Sequence, residues 1–155
     1  MIEYKLNIGD LLVTKGENVT YACLGLGSCI GLFLQDRSTG LSGGAHIQLP
    51  NEIRSGEGKF YGVKSAITEL LNQFKIAGST LQNLRAKITG GANVVATGHE
   101  TGLQNAERVM QELMTHKVYI AAMDVGGKQS RTARFNSETG VLMVRIPETN
   151  EIKLF

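Results

Sequence analysis

The sequence predicts an α/β chain of the α+β kind, folded as a single domain over residues 1–155. Three observations point there. A chain of 155 residues can bury about two-thirds of its unfolded surface in one core. Its 19 glycines, roughly 12% where about 7% is usual, imply many tight turns between short strands. Only two segments carry a helical apolar period, and they lie among many short strand-like runs.

Leu6 to Thr14 and Val19 to Leu24 alternate or run apolar over strand lengths, with Gly9-Asp10 and the 15–18 cluster as breaks. Ile30 to Leu34 reads as a buried strand, and the turn Asp36-Arg37-Ser38-Thr39-Gly40 returns it as Leu41 to Leu49. Pro50 to Gly58 is polar and glycine-rich, a surface loop. From Tyr61 to Lys75, the residues Val63, Ala66, Ile67, Leu70, Leu71 and Phe74 recur at helical spacing, and Gly78 stops the run. Leu84 to Thr89 is a strand ending at Gly90-Gly91. A second helix covers Leu103 to Lys117, with Ala106, Val109, Met110 and Leu113 inward and Met114 assigned to the same core stripe. Val118 to Val125 is a strand ending at Gly126-Gly127. Arg131 to Phe135 and Val141 to Ile146 flank Asn136-Ser137-Glu138-Thr139-Gly140 as a hairpin.

Bulk properties exclude several functions. Lys plus Arg number 16 against 14 Asp plus Glu, with both signs dispersed and no Trp, so no basic stripe or aromatic stack suits nucleic acid. No apolar run is long enough to span a bilayer, and Met1 to Lys5 lacks a secretory pattern. Two cysteines make no disulfide framework, so a reducing cytoplasm is the expected compartment. No Cys or His spacing supplies a zinc site. The paired glycines match neither a dinucleotide nor a phosphate-loop motif.

The informative stretch is Leu24-Gly25-Leu26-Gly27-Ser28-Cys29, followed 17 residues later by His46 in Ala45-His46-Ile47-Gln48-Leu49-Pro50. A cysteine on a glycine-bracketed turn holds its sulfur away from the backbone, with free amides around it. A thiol of pKa about 8.5 is only a few per cent ionised at neutral pH. A nearby imidazole can take its proton, and the resulting thiolate–imidazolium pair attacks acyl carbon well. The N–H groups of Cys29 and Ser28, beside Gly27, can hold the developing oxyanion, where one donor is worth about 3 kcal/mol. The competing reading is that a free cysteine is a small buried hydrophobe.

These residues resemble the CheD family, the chemoreceptor glutamine deamidases of bacterial chemotaxis. The turn around Cys29 and the strand around His46 both match, with Gln48 where a methionine is frequent. Ala86 to Ala92, Asp124-Val125-Gly126-Gly127, Arg131 and Thr139-Gly140-Val141 follow in the family's order. The resemblance implies layered mixed β-sheets with helices packed outside, and no cofactor or metal. It makes Cys29 the nucleophile and Cys29–His46 the catalytic pair. It implies chemoreceptor cytoplasmic helices as substrate and a CheC-type phosphatase as partner. The family's third catalytic residue, a threonine six positions before the cysteine, is here Cys23. A thiol is the weaker hydrogen-bonding group, so the imidazole needs either Cys23 or a substitute: Thr20, a backbone carbonyl or water. Thr20 has the opposite strand parity and should face away. Gln104 is a second departure, standing where an arginine is common. The rival reading is an adaptor that lost efficient catalysis through Cys23 and works by binding the phosphatase.

Cys23 has three available roles: a stand-in for the threonine, a resolving thiol for Cys29, or packing. His116 near a helix C-terminus suits the dipole there, and His99 sits in a polar, solvated loop.

Overall fold

The computed structural model describes residues 2–16, 18–51, 58–94 and 101–155. His99 and most of the 50–58 loop lie outside the described residues. The elements run β1 Ile2–Lys5, β2 Leu11–Lys15, β3 Val19–Leu26, β4 Ile30–Asp36, β5 Leu41–Ile47, α1 Val63–Ile76, β6 Arg85–Gly90, α2 Thr101–Thr115, β7 Tyr119–Val125, β8 Arg131–Asn136, β9 Leu142–Ile146 and β10 Glu151–Leu154. They form two five-stranded mixed sheets, β1-β3-β8-β9-β10 and β2-β5-β4-β6-β7. The pairs β1–β3 and β6–β7 are parallel, and α2 is the crossover that joins β6 to β7.

Three layers result, and strand parity shows why. Ile30, Leu32 and Leu34 of β4 join Ala45 and Ile47 of β5 and the apolar stripes of α1 and α2 in one core. Phe33 of the same strand points the other way, into a second core with Tyr21, Cys23, Leu26, Ala133, Phe135 and Val144 of the facing sheet. A strand buried on both faces reads as a continuous apolar run, which is how Ile30 to Leu34 appears in the sequence. Phe33 stacks on Phe135 with centroids 5.6 Å apart, a contact worth about 0.5–1.5 kcal/mol beyond its buried area. Lys87 Nζ crosses the same layer, donating to the carbonyls of Gly140 at 2.6 Å and Phe155 at 2.9 Å. The helices cover one side of the second sheet, as the expected layering required. Among the described residues, no helix covers the outer face of the first sheet, where a groove lies instead.

The break expected at Gly9-Asp10 is a turn within residues 6–10, with Gly9 at φ +86° and Asn7 N–H donating to the Asp10 carboxylate at 2.9 Å. Two expectations change. Two further strands, β1 and β10, have only four residues each. Met114 is not core: it is 67% exposed while Val109 is fully buried, because α2 turns it past the apolar stripe.

Candidate active site

Cys29 lies on the turn joining β3 to β4, two residues before Gly31. Gly31 pairs directly with His46 on β5. A Cβ on Gly31 would meet Leu26 and Phe33 at 3.2 Å, so this face of the strand points into the layer between the sheets. His46 stands on the same face, opposite a residue with no side chain. Cys29 packs in that layer as well, diagonal to the imidazole across the β4–β5 pair. Cys23, on the inward parity of β3, packs there too. Thr20 lies instead on the outer face, lining a groove with Glu3 and Arg134. Cys29 and Cys23 share one core cluster, and His46 stands on the same face of the neighbouring strand with no hydrogen bond to Cys29 among the described residues, while Thr20 is turned away.

The imidazole has a defined orientation. His46 Nδ1 lies 2.8 Å from the carbonyl oxygen of Leu6. A carbonyl only accepts, so Nδ1 carries the proton and the neutral ring leaves a lone pair on Nε2. That Nε2 is buried and has no hydrogen-bond partner among the described residues. Main-chain bonds hold the strand below it: His46 N–H donates to Asp10 at 3.0 Å and Gly9 N–H donates to His46 at 2.9 Å. The Leu6 carbonyl therefore fixes the ring's orientation, and a backbone carbonyl is among the expected substitutes for the threonine.

Burial sets the charges. It pushes the Cys29 thiol up and the His46 imidazole down, the latter against the opposing pull of the Leu6 carbonyl and the Asp10 carboxylate. Both shifts favour the neutral forms, a thiol on Cys29 and an uncharged imidazole on His46. Cys23 is fully buried, and desolvation, with the nearby Cys29 and Asp10, drives its thiol far up. Both cysteines are free thiols.

The turn itself is clamped from one side. The carbonyls of Gly27 and Cys29 accept the N–H groups of Ala92 at 2.8 Å and Gly91 at 2.9 Å. Ser28 O accepts Asn105 Nδ2 at 2.7 Å. The N–H groups of Gly27, Ser28 and Cys29 donate to no acceptor among the described residues. Gly90, at φ +110°, leaves only enough room for this contact: a Cβ there would sit 2.2 Å from the Cys29 carbonyl oxygen. Outside the turn, a pocket of about 390 Å³ is lined by Lys5, Leu6, Asn7, Ile8, Leu24, Gly25 and His46. Ile8 and Leu24 on its rim are 41% and 40% exposed. Of Cys29 and His46, only His46 lines this pocket; the groove on the outer face of the first sheet, about 430 Å³, is lined by neither. His116, just past the end of α2, pairs with Glu112 at 3.3 Å.

The description "CheD chemotactic sensory transduction" belongs to the family model that matches residues 48–146 of this chain. The chain belongs to the CheD family. A CheD chemoreceptor glutamine deamidase of Halalkalibacterium halodurans is 34% identical over 155 residues, covering 95% of each chain. That of Thermotoga maritima is 32% identical over 141 residues, covering 90% of this chain and 89% of its own. A longer relative from Methanosarcina acetivorans, named Probable chemoreceptor glutamine deamidase CheD 2, is 35% identical over 147 residues, 92% of this chain but 65% of that protein. Because the Leu6 carbonyl already accepts from His46 Nδ1, Cys23 is not needed to hold the ring. Cys23→Ala should leave turnover within a few-fold and cost about 1 kcal/mol in a thermal melt, the mark of a lost packing contact. Loss of turnover in the folded variant would restore Cys23 to the catalytic set.

Proposed function

We propose that this chain is a cysteine-dependent protein-glutamine deamidase acting on the cytoplasmic helices of chemoreceptors. One observation carries the reading: a buried histidine has one ring nitrogen committed to a carbonyl and the other unpartnered, in the layer that holds Cys29. The names of the relatives support the substrate, and the apolar rim at Ile8 and Leu24 suits a helix surface presenting a glutamine.

The chemistry balances without a cofactor. Nε2 of His46 takes the Cys29 thiol proton as the sulfur attacks the carboxamide carbon. The carbonyl oxygen becomes an oxyanion facing the free amides of the turn. The C–N bond then breaks, Nε2 returns its proton to the leaving nitrogen, and ammonia departs. Water gives a proton to Nε2 and adds to the thioester, the C–S bond breaks, and the sulfur recovers the proton. Glutamine and water become glutamate and ammonia. The new carboxylate changes receptor charge, which can bias two packing states of a helical bundle.

The test is incubation with a receptor cytoplasmic fragment, reading ammonia and the glutamine-to-glutamate mass change. The expected result is both signals from the wild type and neither from Cys29→Ala. A folded wild type that releases no ammonia but binds and stimulates a CheC-type phosphatase would establish the adaptor instead.

A further inference from the structure

Asn105 is fully buried on the inward stripe of α2, between Gly102 and Ala106. Its Nδ2 donates twice, to Ser28 O at 2.7 Å and Gln48 O at 2.8 Å. Its Oδ1 has no partner among the described residues. Both neighbours of the amino group are carbonyls, so chemistry alone fixes which end of the amide faces them. Ser28 precedes the cysteine and Gln48 follows the histidine by two residues. One NH₂ group thus spans the nucleophile turn and the strand that carries the base. We infer that Asn105 is a positioning residue that aims the oxyanion donor, an inference that rests on the deamidase reading above.

The geometric link is the peptide plane. In a trans peptide the carbonyl and the following N–H point in opposite directions. Holding Ser28 O against α2 therefore directs the Cys29 N–H away from α2, into the side of the turn where the amides are free. The Ala92 bond to Gly27 O at 2.8 Å does the same for the Ser28 N–H. The two proposed oxyanion donors are each set by what grips the carbonyl behind them, one by backbone and one by Asn105. Helix placement allows the reach: a Cβ on Gly102 would lie 2.3 Å from Ala92 O, so α2 rests directly on the Gly91–Ala92 backbone. Asn105, one turn further along, meets the turn and the strand end together.

The test is Asn105→Leu, which keeps most of the volume and removes both donors, with Asn105→Ser, which keeps one donor, should the first not fold. On a receptor fragment kcat should fall roughly tenfold to a hundredfold, with KM within about threefold. Alkylation of Cys29 by iodoacetamide forms no oxyanion, and its rate should stay within about threefold of wild type. The Cys29 amide resonance in a ¹⁵N spectrum should move. Unchanged kcat in a folded variant would overturn the inference, as would kcat and alkylation falling in parallel. Silence of the wild-type protein toward the receptor would count against the deamidase reading alone. The amide resonance would then decide: displaced in the variant supports the role of Asn105, and unmoved refutes it.

Discussion

His46→Ala should lower kcat/KM for receptor-glutamine hydrolysis by roughly 10²–10⁴-fold. In the proposed mechanism the variant removes the group that accepts the Cys29 proton, and burial raises that thiol's pKa, so little thiolate forms spontaneously. The wild-type pH profile carries the same information. Burial lowers the His46 pKa, so the base form persists below the usual histidine range, and the acid limb of kcat/KM should lie under pH 6.5 and vanish in the variant. Stability has a matching sign. Between 6.5 and the lower folded-state value, the unfolded chain binds a proton that the native chain refuses, so native stability falls as pH drops through that window. Below the folded-state value the loss is complete and constant. A kcat/KM within about threefold of wild type in folded His46→Ala would remove the imidazole from the chemistry.

Gly90→Ala should be the most damaging single methyl. The residue sits at φ +110° with its absent Cβ 2.2 Å from the Cys29 carbonyl oxygen, and both the strand end and the turn are backbone that no rotamer change can clear. Backbone strain alone costs about 1–3 kcal/mol, and relieving the overlap requires β4 to part from β6. We expect a total of about 3 kcal/mol or more, a Tm lower by roughly 6–12 °C, and at least about tenfold slower turnover as the turn shifts. Gly126→Ala is the control: its φ is +90° but a Cβ there meets nothing within 4 Å. It should show only the strain, about 1–2 kcal/mol, with turnover unchanged. Equal melting temperatures for the two variants would mean that the contact at Cys29 is not tight.

Much of this arrangement could be read from the residues. The apolar run from Ile30, the return strand from Leu41, both helical stripes and the hairpin around Asn136 produce strong periodic signals, and they place Cys29 on the turn leading into one strand and His46 on the next. The edges were harder. Strands β1 and β10 are four residues long and mostly exposed, too short for their alternation to stand out from loops. The orienting group of the imidazole is a backbone carbonyl, and a carbonyl belongs to every residue; nothing in the letter Leu6 announces it. Asn105 did leave a signal. It is a polar residue on a stripe otherwise made of Gly102, Ala106, Val109 and Leu113, and a buried amide needs partners. The protonation of the pair depends on desolvation, which residue types do not encode: Cys29 is only 8% exposed and His46 only 3%, and that depth favours the neutral form of each.

The central claim is that Cys29 sulfur becomes bonded to the substrate's acyl carbon. Its most direct measurement is the intact mass of the enzyme, acid-quenched during turnover of a receptor fragment, with the adduct mapped by tandem mass spectrometry. The account requires an acyl adduct on Cys29 in the wild type, and neither adduct nor converted glutamine with Cys29→Ala. Glutamine converted to glutamate by Cys29→Ala, with the enzyme's mass unchanged throughout, would contradict it.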